Sequence, residues 1–254
     1  MRKKQTKIVA TISDLRCGVD FLKELYDNGV NVFRTNTAHQ MPKDTIKIVE
    51  NVRKVSSDAA IMVDIKGPEI RTRNLKEKFI AKPGDKIVVK PWDEKSESTK
   101  DVLYVSYDGF VKDIGDNKVI LIDDGEVALK ILKKNKDSLE CEATNEGEIG
   151  NNKSVNVPGA KMNLPSLSEK DKLYVEFCNE NNIDFIAHSF VRSKDDVIPI
   201  QKMFDKAGNK TTKIVAKIEN QEGVDNIEEI LDYVHSVMIA RGDLAIEIPA
   251  WEVP

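Results

Sequence analysis

Apolar, β-branched runs of strand length recur along the chain, and four of them end in polar residues spaced i and i+2. VNVFRTN ends in Arg34 and Asn36, AAIMVDIK in Asp64 and Lys66, TKIVAKIE in Lys217 and Glu219, and SVMIARGD in Arg241 and Asp243. Side chains alternate across a strand, so each pair is expected on one side of its sheet, at the strand's C-terminal end. Segments of helical period separate the runs. The pattern predicts strands at 7–12, 31–36, 60–65, 183–189, 213–218 and 236–241, and helices at 18–28, 43–56, 168–182, 193–207 and 223–234. Strands alternating with helices imply a parallel sheet with its ligand site at the C-terminal edge. A closed (β/α)8 barrel needs eight strands, two more than the pattern supplies, so the expected fold class is α/β, of TIM-barrel type and incomplete in this chain.

The texture changes after Ile65. KPGDKIVVK, DVLYVSYDG, NKVILIDDGEVALKIL and SLECEATN read as short strands with turn signals, in which lysines and acids alternate with Val, Ile and Leu. Such alternation suits an antiparallel barrel or sandwich with one wet face. The expected organisation is therefore an all-β domain, 68–158, inserted after the third strand of a discontinuous barrel domain formed by 1–67 and 159–254.

Composition narrows the class. The 254 residues are 40% hydrophobic and 32% charged, a globular balance. A net charge of -4 gives no electrostatic reason to expect a nucleic-acid partner. The opening MRKKQTK is basic, but the run IVATI after it is too short for a secretory core, and no stretch approaches the ~20 apolar residues of a membrane span. A cytoplasmic protein with no membrane partner is expected. Cys17, Cys141 and Cys178 are scattered and lack C-x-x-C spacing, which points to neither a disulfide framework nor a zinc site. His39, His188 and His235 are equally dispersed and read as structural, although His39 follows the strand that ends in Arg34 and Asn36.

The strand ends carry chemistry of one kind. Glu219 and Asp243 offer hard oxygen ligands to Mg2+ or Mn2+, which keep water and substrate oxygens as their other ligands. Lys217 lies one side-chain repeat from Glu219, and Arg34 adds a planar donor fork that matches phosphate. A divalent cation with Lys and Arg around one pocket suits a transferring phosphoryl group, where catalysis is largely positioning and charge neutralisation. Each pair read alone is an ordinary salt bridge at a barrel rim; four at equivalent positions point to a site. GPEIRT and ARGD are single-glycine turns, so side chains and metal, rather than a glycine-rich cradle, must hold any nucleotide.

TKIVATI at 6–12, GVNVFRTN at 29–36, DIKGPEIRT at 64–72, KSVNVPG at 153–159, LPSLSEKD at 164–171, DFIAHSFVR at 184–192, KIENQEGVDNIEEI at 217–230 and MIARGDLAIEIP at 238–249 together resemble pyruvate kinase. The matches run nearly end to end and in order, and the family's barrel is likewise interrupted after its third strand by a β-rich lid. The resemblance implies phosphoryl transfer between phosphoenolpyruvate and ADP, giving pyruvate and ATP in glycolysis. It implies Lys217 as the catalytic lysine at the transferring phosphoryl group and enolate, and Arg34 as the catalytic, substrate-phosphate arginine. Gly242 would present backbone to the substrate carboxylate, Glu219 and Asp243 would hold Mg2+ or Mn2+, and Arg71 and Lys153 would meet the nucleotide phosphates. Asn36, Asp64 and the Ile65 carbonyl would hold K+. Homotetramers are usual in the family.

Three departures qualify these expectations. Where the family commonly reads NFSHG this chain reads NTAHQ, so Ala38 replaces a serine whose hydroxyl helps hold K+, and Ile65 replaces a threonine. Glu69, whose charge usually accompanies K+ dependence, is retained, and K+ binding stays open. TISDLRC stands in place of a TIGP-type turn. The family also continues with two further strands, an enolate-protonating threonine and a C-terminal domain, so the expectation is a portion of a longer enzyme or a chain completed by a partner. Two other readings stand beside it: a non-catalytic module that binds metal and phosphoenolpyruvate, and a metal-dependent aldolase or lyase built on a similar barrel.

Overall fold

A computed structural model describes residues 5–115 and 118–254. The chain begins with β1 (Ile8–Ile12), α1 (Val19–Asp27), β2 (Val30–Asn36), α2 (Pro42–Val55) and β3 (Ala60–Ile65). Its central part holds β4 (Thr72–Arg73), β5 (Phe79–Ala81), β6 (Lys86–Pro91), β7 (Val102–Val105), α3 (Phe110–Asp113), β8 (Val119–Ile122), β9 (Val127–Lys134), β10 (Leu139–Ala143), β11 (Gly147–Ile149) and β12 (Val155–Asn156). There follow α4 (Glu169–Glu180), β13 (Phe185–His188), α5 (Lys194–Ala207), β14 (Lys213–Ile218), α6 (Gln221–Asp225), α7 (Ile227–Leu231), β15 (Ser236–Ile239) and α8 (Arg241–Glu247). Two compact units result, one comprising Met1–Pro68, Ser166–Ile218 and Asn226–Met238, the other Glu69–Pro165, Glu219–Asp225 and Ile239–Pro254.

In the first unit the six strands form one sheet in the order β1-β2-β3-β13-β14-β15. The ladders from β1 through β14 are parallel, which is the α/β, incomplete TIM-barrel arrangement expected from the pattern. Both faces of the central strands are covered, and for that reason β3 and β14 read as nearly continuous apolar runs. On one face Met62, Ala187 and Val215 form a buried layer against which Val32, Phe185 and Met238 pack. Residues of the other parity, among them Ile61, Val63, Ile186 and Ile214, are buried under the flanking helices. The start of α4 is set by a reciprocal cap: Ser168 Oγ accepts from the Asp171 N–H at 3.1 Å, and the Asp171 carboxylate accepts from the Ser168 N–H at 2.9 Å.

The second unit carries a seven-stranded sheet, β12-β8-β9-β10-β6-β7-β4, and a two-stranded one, β11-β5. Its ladders are antiparallel except β6 with β7. Alternation is the driving feature: β10 buries Leu139, Cys141 and Ala143 and turns Glu140 outward. The apolar residues of one parity make a core of their own, from Ile70 to Val157, with Phe110 and Ile120 fully buried in it. All three cysteines are free and buried, and burial pushes the Cys141 thiol up to about 12.

Three elements differ from the sequence pattern. The helix expected over 223–234 is two short helices, α6 and α7, with Asn226 between them because its side-chain amide donates to the Arg192 carbonyl at 2.9 Å. The strand expected over 236–241 ends at Ile239, and Arg241 begins α8. Leu244 and Ile248 are both buried at i and i+4, a helical period that overrides strand parity there. A short helix, α3, also interrupts the strands of the central part. No helix among the described residues is long and apolar enough to cross a membrane.

Candidate active site

The apolar layer of the first unit fixes what stands above it. Two residues beyond Val32, Met62, Ala187 and Val215, on the same parity, lie Arg34, Asp64, Ser189 and Lys217. These four meet. Arg34 Nε donates to Asp64 Oδ2 at 2.7 Å, and its Nη2 lies 2.5 Å from the same oxygen. Lys217 Nζ donates to Ser189 Oγ at 2.8 Å and stands 3.4 Å from Asp64 Oδ1, to which Ser189 Oγ itself donates at 3.2 Å. Thr11 at the end of β1 accepts from Arg34 Nη1 at 3.1 Å, so the guanidinium is held from two strands. The Asp64 and Lys217 side chains are only 3% and 9% exposed. Removing Asp64 would deprive Arg34 and Lys217 of the carboxylate they share, a loss of roughly 1–3 kcal/mol.

Ser189 escapes a search for charged strand ends, although parity from Ala187 finds it. Its place depends on Gly67. The chain at Gly67 takes φ +66°, and a side chain there would press into the Ser189 carbonyl oxygen. The glycine of GPEIRT is thus a packing requirement rather than a phosphate loop. Phe190 follows in the left-handed region at φ 57°, which turns the chain away directly after Ser189.

Asn36 is exposed, and its Oδ1 accepts from the Ala38 N–H at 2.9 Å. Ile65 is fully buried. Thr37 Oγ1 donates to the Asp64 carbonyl at 2.9 Å, and Lys170 in the first turn of α4 donates to the Ala38 carbonyl at 3.1 Å. Burial lowers the Lys170 pKa, and the nearby Lys66 lowers it further. The side chain of His39 lies outside the described residues. His188 is buried on the opposite parity, among Asp171, Asp196, Arg192 and Lys217, and does not join the cluster. Burial depresses its pKa to about 4.

In the second unit Arg71 and Lys153 lie on adjoining segments, joined by an antiparallel bridge between Arg71 and Ser154. Arg71 is clamped on Glu69 by Nε at 2.9 Å and Nη2 at 2.7 Å. Lys153 Nζ donates to Asp123 Oδ2 at 2.5 Å, a bond that raises the lysine pKa. Glu219 is buried, 1% exposed, whereas Asp243 is exposed in the first turn of α8. On a helix, Arg241 and Asp243 fall on different faces, so the strand-end pairing expected for SVMIARGD does not form. Gly242 is exposed, and a Cβ there would meet nothing within 4 Å. Asn156 Nδ2 donates to Glu247 Oε1 at 2.8 Å and so ties α8 to β12. Among the described residues no group of three or more His, Cys, Asp or Glu is arranged to hold a metal. Two carboxylates fit Mg2+, which usually takes one or two from a protein and the rest from water and substrate.

The family model described as pyruvate kinase, barrel domain, matches residues 3–254. The chain belongs to the pyruvate kinase family. A pyruvate kinase of Borreliella burgdorferi is 50% identical over 100% of this chain and 53% of its own length. Those of Geobacillus stearothermophilus and Bacillus licheniformis are 41% and 40% identical, over 99% of this chain and 44% of their own length. The chain spans about half the length of the curated relatives it matches. Membership in the pyruvate kinase family sets the aldolase and lyase readings aside.

Proposed function

We propose that the chain carries the substrate and metal side of a pyruvate kinase site. In the full enzyme it would take part in Mg2+-dependent phosphoryl transfer from phosphoenolpyruvate to ADP, giving pyruvate and ATP in glycolysis. The observation that carries this reading is the partly buried cluster of Arg34, Asp64, Ser189 and Lys217 at the ends of β2, β3, β13 and β14. Arg34 and Lys217 both stand against Asp64 there, two cationic donors of the kind that bind a dianionic phosphate.

In this reading Arg34 binds the substrate phosphate, and Lys217 neutralises charge that develops on the transferring group and on the enolate. Asp64 and Ser189 hold both cations in place before substrate arrives, so little reorganisation is needed as charge moves. Gly242 leaves room for a substrate carboxylate beside its backbone. Glu219 and Asp243 would hold Mg2+ or Mn2+; when bound, the ion would neutralise charge and align the substrate oxygens. Arg71 and Lys153 would exchange Glu69 and Asp123 for nucleotide phosphates, with residues 68–158 serving as the lid. The net charge and composition accord with a cytoplasmic enzyme, and assembly into the family's homotetramer belongs to the same proposal.

The decisive experiment is pyruvate formation from phosphoenolpyruvate, ADP and Mg2+, beside a Lys217→Met protein purified identically. Turnover in the parent that falls about 10²-fold or more in Lys217→Met is the expected result. A second reading, a module that binds metal and phosphoenolpyruvate without turnover, draws support from the confinement of Arg34, Asp64 and Lys217 to this chain. Mg2+-dependent binding of phosphoenolpyruvate with no pyruvate formed would select it. No binding would overturn both.

A further inference from the structure

The family resemblance brings with it a monovalent cation held by the residues at positions 36, 38, 64 and 65, and the donors present here do not suit one. A weakly hydrated ion such as K+ needs a shell of oxygens to replace its water. Ala38 has no hydroxyl, and Ile65 offers its backbone carbonyl alone. Asn36 Oδ1 accepts from the Ala38 N–H at 2.9 Å. Asp64 is the one anion of the set, and both of its oxygens face internal cations: Arg34 grips Oδ2 at 2.7 and 2.5 Å, while Lys217 and the Ser189 hydroxyl stand at Oδ1 at 3.4 and 3.2 Å. Lys170 adds an ammonium 3.1 Å from the Ala38 carbonyl, on the loop that would wrap the ion. Glu69, the charge that goes with K+ in the family, is clamped on Arg71 by two hydrogen bonds of 2.9 and 2.7 Å.

We infer that the mouth of β2 and β3 is organised by the chain's own cations, with Lys170 on the Ala38 carbonyl and Arg34 and Lys217 on Asp64, in place of bound K+. Lys170 is on this view a positioning residue for the loop after β2. The inference rests on the pyruvate kinase reading for which side chains a K+ ion would use, but its test does not depend on turnover.

The melting temperature of the whole chain is measured in KCl and in tetramethylammonium chloride at equal ionic strength, beside an Ala38→Ser/Ile65→Thr variant that restores the family's residues. Equal melting of the parent in the two salts is expected. A saturable, K+-specific rise in the parent of about 2–4 °C or more would overturn the inference, since an ion bound only by the folded state must stabilise it. A K+-specific rise confined to the variant assigns the loss to the two substitutions. A rise in neither leaves the internal cations as the reason. Calorimetric binding of phosphoenolpyruvate with Mg2+, run in both salts, should give the same affinity within about twofold, whereas tenfold tightening by K+ would go against the inference. If phosphoenolpyruvate binds in neither salt, the substrate reading fails and melting alone decides the K+ question.

Discussion

His188 ends β13 with both imidazole nitrogens buried and without a hydrogen-bond partner among the described residues. Burial pushes its pKa from 6.5 down to about 4; Asp196 and Asp171 pull it up, and Arg192 and Lys217 reinforce the depression. The unfolded chain therefore binds a proton that the folded chain refuses between those two values. Stability carried by the neutral ring is complete above pH 6.5 and is lost as pH falls toward about 4. The loss amounts to roughly 3–4 kcal/mol at most, from ~1.4 kcal/mol per pH unit over the interval between the two values. Urea unfolding at a series of pH values should show this slope, and His188→Met, which cannot take up the proton, should flatten it. An unchanged slope in the variant would place the acid sensitivity elsewhere. The same residue shows why a lone histidine in sequence says little: parity puts it behind the site, with the helices.

Elements are joined at the strand mouths by polar side chains that no periodic pattern announces. Gln40 Nε2 donates to Asp14 Oδ1 at 3.0 Å, and its Oε1 accepts from Thr35 at 3.0 Å and more weakly from Thr45, which is itself 3.0 Å from the Tyr174 hydroxyl. Gln40 is the glutamine of NTAHQ and Asp14 the aspartate of TISDLRC, so two of the positions where this chain departs from the family's pattern lie against each other and couple the loop after β1 to the loop after β2. Because Gln40 is 8% exposed, Gln40→Ala should destabilise by about 1–3 kcal/mol. A double-mutant cycle with Asp14→Ala should return a coupling of at least ~0.5 kcal/mol, and additivity would mean that the contact carries no energy. Strand positions and the parity of Arg34, Asp64 and Lys217 are legible from sequence because burial on both faces writes apolar runs with a fixed period. Ser189 is found only by carrying that parity past Ala187, and Gln40 and Lys170 are not legible at all, since they act through contacts between segments far apart in sequence. Arg241 and Asp243 mislead for a different reason: Leu244 and Ile248 impose a helix on a segment whose first residues look like strand.

At the scale of the whole molecule, each unit buries a core of its own, and the two leave different surfaces in water. In the seven-stranded sheet the terminal strands β12 and β4 are two residues long, too short to template another chain. The six-stranded sheet ends instead on β1 and β15, which present apolar side chains: Ile8 and Val9 are 42% and 46% exposed, and Ile239 is 44% exposed. A β-branched edge strand is where a second strand adds most readily, whether from a partner of matching register or from another copy of the chain. Val9 faces Val32 across the ladder, so a charge at this position stands on the inner parity, where natural edges often place one. Val9→Lys should therefore slow thermally induced aggregation, followed by light scattering, several-fold. Stability should change by no more than about 0.5 kcal/mol, because nearly half of Val9 already faces solvent. Aggregation at the parent's rate in Val9→Lys, with slowing in an Ile239→Lys protein, would assign the liability to β15; slowing in neither would mean that association proceeds from unfolded chain rather than from the sheet's edges.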